Sequence, residues 1–329
     1  MKFALNLNDA LPFSTEIPAE LRGHLIPGSL AQATSNGFGK LLLQELHSAA
    51  GPVYYHAYQI NRKTVFRMQD EGPFFSACIA LQHENRLEVE GLGTVLLREG
   101  QYNIIYSPVY DLTSAHEAGK EYISIRLQYG LPVLEEWAPY FPCLQSFLER
   151  VRAGKFALLS AENAWFTREI QDMIYRLVHH SRDKAFNPLY FDLLARTLLF
   201  HLLCQSAQQQ PRSPYSHHEI NSIHEAREMI CRNIRYHYKI SEIAQKVGMN
   251  EFKLKNGFKE TYGDGLYEYL ISERMLEARS LLADPSRNIK EIAALTGYKN
   301  VNSFIKIFKR RYNQTPGEFR QDIIRQEPV

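Results

Sequence analysis

Hydrophobic and polar positions change their period along this chain. Between about Gly51 and Tyr129, runs rich in Val, Ile, Tyr and Phe cover Val53–Met68, Phe74–Gln82, Leu87–Leu97, Tyr102–Tyr106 and Tyr122–Leu127. Turn-forming clusters such as Gly91-Leu92-Gly93, Arg98-Glu99-Gly100-Gln101 and Ser107-Pro108 separate them. Branched and aromatic side chains in short, evenly spaced runs predict a small antiparallel sandwich or barrel. From about Trp137 to Gln210 the period becomes helical, with Trp165, Ile170, Ile174 and Leu177 close to one face. Asn187-Pro188 then opens an apolar helix through Leu193, Leu194, Leu198, Phe200 and Leu202. That helix is apolar on more than one face, so burial within the domain and a dimer seam both stay open. Gln208 to Ser216 is rich in Gln, Pro and Ser, which cannot support packing, and reads as a linker.

The remainder is helical and contains an internal repeat. Ile240-Ser-Glu-Ile-Ala244 matches Ile289-Lys-Glu-Ile-Ala293, and Gly248 matches Gly297, all at an offset of 49. Past the turn the offset is 50: Phe258-Lys259 matches Phe308-Lys309, Tyr262 matches Tyr312, and Glu268-Tyr269 matches Glu318-Phe319. Each copy has the parts of a helix-turn-helix. A short amphipathic helix ends at a glycine that supplies backbone freedom, and Asn250 or Asn300 caps a second helix. Leu254 and Phe258, or Phe304 and Phe308, lie four apart and face the core.

What points away is polar and cationic. Glu251, Lys255, Asn256 and Lys259 in the first copy, and Asn302, Ser303, Lys306, Lys309 and Arg310 in the second, make faces suited to a DNA groove. Lysine donates to guanine O6 or N7, asparagine bridges adenine N6 and N7, and cations toward the helix ends neutralise phosphates. Asp264 to Asp284, with Asp264 as its cap, reads as one helix of about 31 Å between the copies. Adjacent major-groove faces lie ~34 Å apart, so this connector predicts two readers on one side of a duplex.

Charge adds a modest asymmetry. The whole chain of 329 residues carries 38 Lys+Arg and 36 Asp+Glu, but from His218 onward the balance is 19 to 15, against 19 to 21 before it. The four cysteines, Cys78, Cys143, Cys204 and Cys231, show no C-x-x-C spacing and suit a reducing compartment. Asn6, Asn8 and Asp9 interrupt the start before a signal-length apolar core forms, and no apolar stretch approaches the ~18 residues of a membrane span. A soluble, cytoplasmic protein is expected.

The C-terminal region resembles the AraC/XylS family of bacterial transcription regulators. The resemblance is carried by Gly297-Tyr298, Phe304, Phe308-Lys309-Arg310-Arg311-Tyr312 and Thr315-Pro316-Gly317-Glu318-Phe319-Arg320. The segment Asn250-Glu-Phe-Lys-Leu-Lys-Asn-Gly-Phe-Lys259 is similar, more narrowly, to the branch related to the pyochelin siderophore regulator. The resemblance implies that Phe252, Lys255 and Asn256 face bases in copy one, and Asn302, Ser303 and Lys306 in copy two. Two positions depart from the family pattern: Asn313 replaces a glycine, and Ile305 puts an apolar group where a small polar one is usual. For the front half the resemblance implies a cupin-like effector-binding domain, a homodimer, an activator's contact with RNA polymerase and, through the narrower branch, an iron–siderophore effector.

A catalytic cupin is the enzymatic alternative and would need clustered metal ligands. His47, His56, His83 and His116 are isolated in the sequence, so no metal site, cofactor or catalytic group is expected. The aromatic positions Tyr54, Tyr55, Tyr58, Phe74, Phe75, Tyr102, Tyr106 and Tyr110 serve either a ligand pocket or a core. The expected architecture is α+β: a β-rich effector-sensing domain over 1–135, a helical dimerisation segment over 136–207, a linker over 208–217 and an all-α double helix-turn-helix domain over 218–329. A DNA-binding protein whose front domain only dimerises is the second reading.

Overall fold

The computed structural model describes residues 2–5, 9–26, 28–179, 188–208, 215–282 and 286–325. Its chain divides into two compact units, Met1–Pro211 and Arg212–Val329.

Strands of the first unit are β1 (Lys2–Leu5), β2 (Asp9–Ala10), β3 (Leu30–Asn36), β4 (Gly39–Leu46), β5 (Val53–Ile60), β6 (Thr64–Asp70) and β7 (Phe74–Gln82). They continue with β8 (Asn85–Val89), β9 (Gly93–Leu97), β10 (Gln101–Ser107), β11 (Tyr110–His116), β12 (Lys120–Leu127), β13 (Ala157–Leu158) and β14 (Ala164–Trp165). One sheet runs β2-β1-β6-β11-β8-β9 and the other β13-β10-β7-β12-β5-β4-β3, with β14 also on β10. The helices are α1 (Leu131–Trp137), α2 (Pro142–Arg152), α3 (Arg168–His179) and α4 (Pro188–Gln208).

Because side chains alternate across a strand, the larger sheet supplies two cores. Tyr58, Ile60, Phe74, Cys78, Ile105 and Tyr122 pack against Phe66, Leu87, Leu97 and Leu112 of the smaller sheet. Their neighbours Tyr55, Ala57, Ile79, Tyr102, Ile104 and Ile125 turn the other way, onto Leu134, Phe147, Ile170 and Leu198 of the helices. Six of the eight aromatic pocket candidates, all but Tyr54 and Phe75, are buried in one core or the other.

The structure corrects several expectations. Val53–Met68 is two strands, divided at Asn61-Arg62-Lys63, and Leu87–Leu97 is likewise two. Trp165 is not helical: it pairs with Gln101 and extends the sheet at β10. Strands β1 to β4, β11, β13 and β14 lie outside the predicted runs, and β11 lies between β6 and β8 in the smaller sheet. The apolar helix α4 divides its surface, burying Leu194, Leu198 and Leu202 while leaving Leu193 and Phe200 exposed. The expected linker falls mainly on residues 209–214, outside the described residues, and His217 already opens a helix.

The second unit is all-α: α5 (His217–Arg232), α6 (Ile240–Lys246), α7 (Glu251–Tyr262), α8 (Leu266–Leu282), α9 (Ile289–Leu295), α10 (Val301–Tyr312) and α11 (Pro316–Arg325). Ser216 and Glu219 close a capping box on α5, satisfying amides that the helix leaves open at its start. Helix α8 sits between the copies. It is described over 17 residues, about 25 Å, and opens at Leu266, two residues after the start that the sequence suggested. Its first turn begins when Tyr269 donates to the Gly265 carbonyl at 2.9 Å, so Gly265 holds the cap position expected of Asp264. Asp284 lies outside the described residues.

Candidate nucleic-acid interface

Both copies end their first helix in the same way. Met249 donates to the Ala244 carbonyl at 2.9 Å and Gly248 to that of Gln245 at 3.3 Å; Tyr298 and Gly297 repeat this on Ala293 (2.8 Å) and Ala294 (3.1 Å). This paired closure needs a left-handed residue after the cap, and Gly248 (φ +64°) and Gly297 (φ +85°) provide it. The next helix is then launched by an asparagine. Asn250 accepts from the amides of Phe252 and Lys253, and Asn300 from those of Asn302 and Ser303. At the far end Gly263 (φ +79°) and Asn313 (φ +58°) are both left-handed, a conformation asparagine tolerates. The departure at Asn313 therefore preserves the geometry.

These caps fix how α7 and α10 roll on the core. Leu254, Phe258 and Tyr262 are buried from α7, and Phe304 and Phe308 from α10. The residues singled out by sequence, Phe252, Lys255, Asn256 and Lys259 on α7, and Asn302, Ser303, Lys306, Lys309 and Arg310 on α10, are all exposed. Ile305 is half-buried and packs at the edge of the second core, which accounts for an apolar residue there. Lys255 lies 3.9 Å from Glu251, and exposed pairs at this spacing are weak enough to exchange for a phosphate or a base. Lys253 is different. Its Nζ holds Glu219 at 2.6 Å and draws that carboxyl down to about 2, so it ties α7 to α5. Helix α10 carries Lys306, Lys309, Arg310 and Arg311 with no carboxylate, whereas α7 mixes Glu251 and Glu260 with three lysines.

Sequence reasoning missed the residues that hold the copies together. Arg274 of α8 donates from Nε to the Ile234 carbonyl at 2.6 Å and from Nη2 to that of Arg235 at 3.1 Å. Its guanidinium also lies 5.4 Å from the ring centre of Tyr298, in the second copy. One turn on, Arg279 stacks over Tyr312 at 4.4 Å and Phe319 at 5.2 Å. Deeper in, Arg227 donates to the Tyr269 hydroxyl at 2.8 Å, and His224 and Tyr262 share a hydrogen bond of 2.6 Å. Arginine inside a helical repeat reads as solvent-facing, so only the tertiary contacts reveal these roles.

The four histidines are not a metal cluster; among the described residues no group of three or more His, Cys, Asp and Glu is placed to hold one. His56 and His116 instead enter the sandwich, where His116 stacks on Tyr58 at 4.5 Å. No described helix is long and apolar enough to cross a membrane.

Two helix-turn-helix units on one shared central helix define a DNA-binding class of domain. A family model described as a helix-turn-helix domain matches residues 243–322. The probable transcription factor PqrA of Proteus vulgaris is 37% identical over 84 residues, 26% of this chain and 69% of that protein. The xylose operon regulatory protein of Escherichia coli (strain K12) is 32% identical over 101 residues, 31% of this chain. The match spans 25% of that regulator's own length. A solved AraC-type transcriptional regulator from Chromobacterium violaceum is 27% identical, with 33% of this chain and 96% of that one covered and a TM-score of 0.31. The chain belongs to the AraC/XylS-type family of helix-turn-helix transcription regulators.

Proposed function

We propose that this protein is a sequence-specific, effector-responsive transcription regulator that reads two successive major-groove segments with α7 and α10. The observation that carries this is the matched pair of exposed polar and cationic faces, each set by an asparagine cap and a left-handed glycine. In this reading Phe252, Lys255, Asn256, Asn302, Ser303 and Lys306 face bases, and Lys259, Lys309 and Arg310 hold phosphates. The first unit senses a small molecule and joins two copies, and effector binding biases the readers through its different affinity for two arrangements. In this reading the regulator contacts RNA polymerase as an activator, a role supported only by the family resemblance. The similarity of Asn250–Lys259 to the pyochelin-regulator branch supports an iron–siderophore effector.

Selection of binding sites from random duplexes, followed by footprinting, tests the reading. Protection of two segments one helical turn apart is expected; a chain that selects no sequence removes it. The second reading, a constitutive DNA-binding dimer, predicts the same footprint with no ligand carried through purification in native mass spectrometry.

A further inference from the structure

We propose that Phe252 recognises the 5-methyl group of a thymine, so that the first reader opens with an apolar contact and the second with an amide. The inference rests on the DNA-reading role proposed above and adds the base chemistry of one position.

Phe252 is 72% exposed although it is the second residue of a helix with a well-formed core face. Leu254, Gly257, Phe258 and Tyr262 occupy that face, and Phe252 lies off it. The ring is held out by its own backbone: its N–H donates to Asn250 Oδ1 at 2.8 Å, which fixes the first turn. Among the described residues no aromatic or cationic group stacks on it. Phe252 therefore offers a large apolar surface to whatever the reading helix meets.

Helical spacing puts Phe252, Asn256 and Lys259 in one line along the exposed face, at i, i+4 and i+7. The equivalent line on α10 is Asn302, Lys306 and Lys309. The two readers therefore differ at their first position, ring against amide. A phenyl ring neither donates nor accepts, so the N7, O6, O4, N6 and N4 groups of the major groove offer it nothing. The one apolar group there is the thymine methyl. A reading helix meets base edges with its N-terminal residues, which is where Phe252 sits. Asn256, one turn further, has the amide that pairs with adenine. The first half-site is thus a thymine within a turn's reach of an adenine.

The test uses the full chain and the duplex it selects. Each thymine is replaced in turn by deoxyuridine, which removes only the methyl group. Wild type should lose about fourfold in affinity at one thymine of the first half-site, the effect of one buried methyl. Phe252→Ala should bind the parent site correspondingly more weakly and be indifferent to uridine there, while Phe252→Leu should keep the sensitivity. A wild type indifferent to every replacement overturns the proposal, as does an alanine variant with the full uridine penalty. Loss of binding in Phe252→Ala together with indifference of wild type to uridine would assign the ring to wedging between base pairs instead, and also overturns it. Selection of no site at all would fail the DNA-reading role itself, a result distinct from these.

Discussion

The Nε of Arg235 donates to the main-chain carbonyl of Leu295 at 2.8 Å, joining the loop before α6 to the last residue of α9. With Arg274 it welds the two helix-turn-helix copies into one body, and the approach is close enough to exclude a side chain. A Cβ at Gly297 would lie 2.8 Å from the Arg235 backbone and 2.9 Å from Arg274 Nη2, whereas one at Gly248 would meet nothing within 4 Å.

Gly248→Ala should therefore cost only the left-handed backbone penalty, about 1–2 kcal/mol. Gly297→Ala should cost more, roughly 2–4 kcal/mol, because backbone must also move. Thermal unfolding of the two variants measures the contrast, and equal shifts would contradict the packing described for Gly297.

A fragment beginning at Tyr215 should fold and bind duplex DNA, since both cores and both readers lie within it. Its affinity should fall by orders of magnitude between low and physiological salt, as phosphate contacts release counterions. A folded fragment without DNA affinity at low salt would refute the assignment of the interface.

Substitutions on α10 should separate base reading from phosphate holding. Asn302→Ala or Lys306→Ala should cost about 1–3 kcal/mol on the selected site and relax discrimination there. Lys309→Ala or Arg310→Ala should weaken binding to all sequences alike and reduce the salt slope by about one. Binding-site selection repeated with each variant shows the difference; unchanged base preference in the first pair would argue against their role.

Acid should destabilise the sandwich through its buried imidazoles. Burial holds His56 well below the ordinary range and His116 at about 4. Unfolded, each titrates near ~6.5, so below that pH the unfolded chain binds more protons than the folded one. Stability is complete above about pH 6.5 and is lost as pH falls toward 4, by at most about 1.4 kcal/mol per pH unit for each histidine. Melting of the first unit followed against pH should show this slope, and His116→Gln should lower it. A flat profile between pH 7 and 4.5 would be the contrary result.

The C-terminal unit was legible because its signals are short-range. An asparagine caps amides two and three residues on, a glycine closes the helix just behind it, and Leu254 and Phe258 meet the core because they are four apart. Such features are written locally, and the repeat wrote them twice. Eight of the nine candidate readers followed from the same logic, since once a helix's buried face is known its exposed face follows; Phe252 came from the family resemblance instead. Tertiary structure decided what depends on distant partners. Trp165 is a strand residue because the edge of β10, some sixty positions earlier, offers it hydrogen bonds. His116 stacks on Tyr58 because β5 and β11 face one another across the sandwich, whereas His56 touches Tyr58 as its neighbour two residues along β5. Arg235 and Arg274 carry no periodicity that distinguishes a solvated guanidinium from one whose donors meet carbonyls about 40 to 60 residues away. Sequence alone thus determined the local conformation of each reader; long-range packing determined that the two are held as one body.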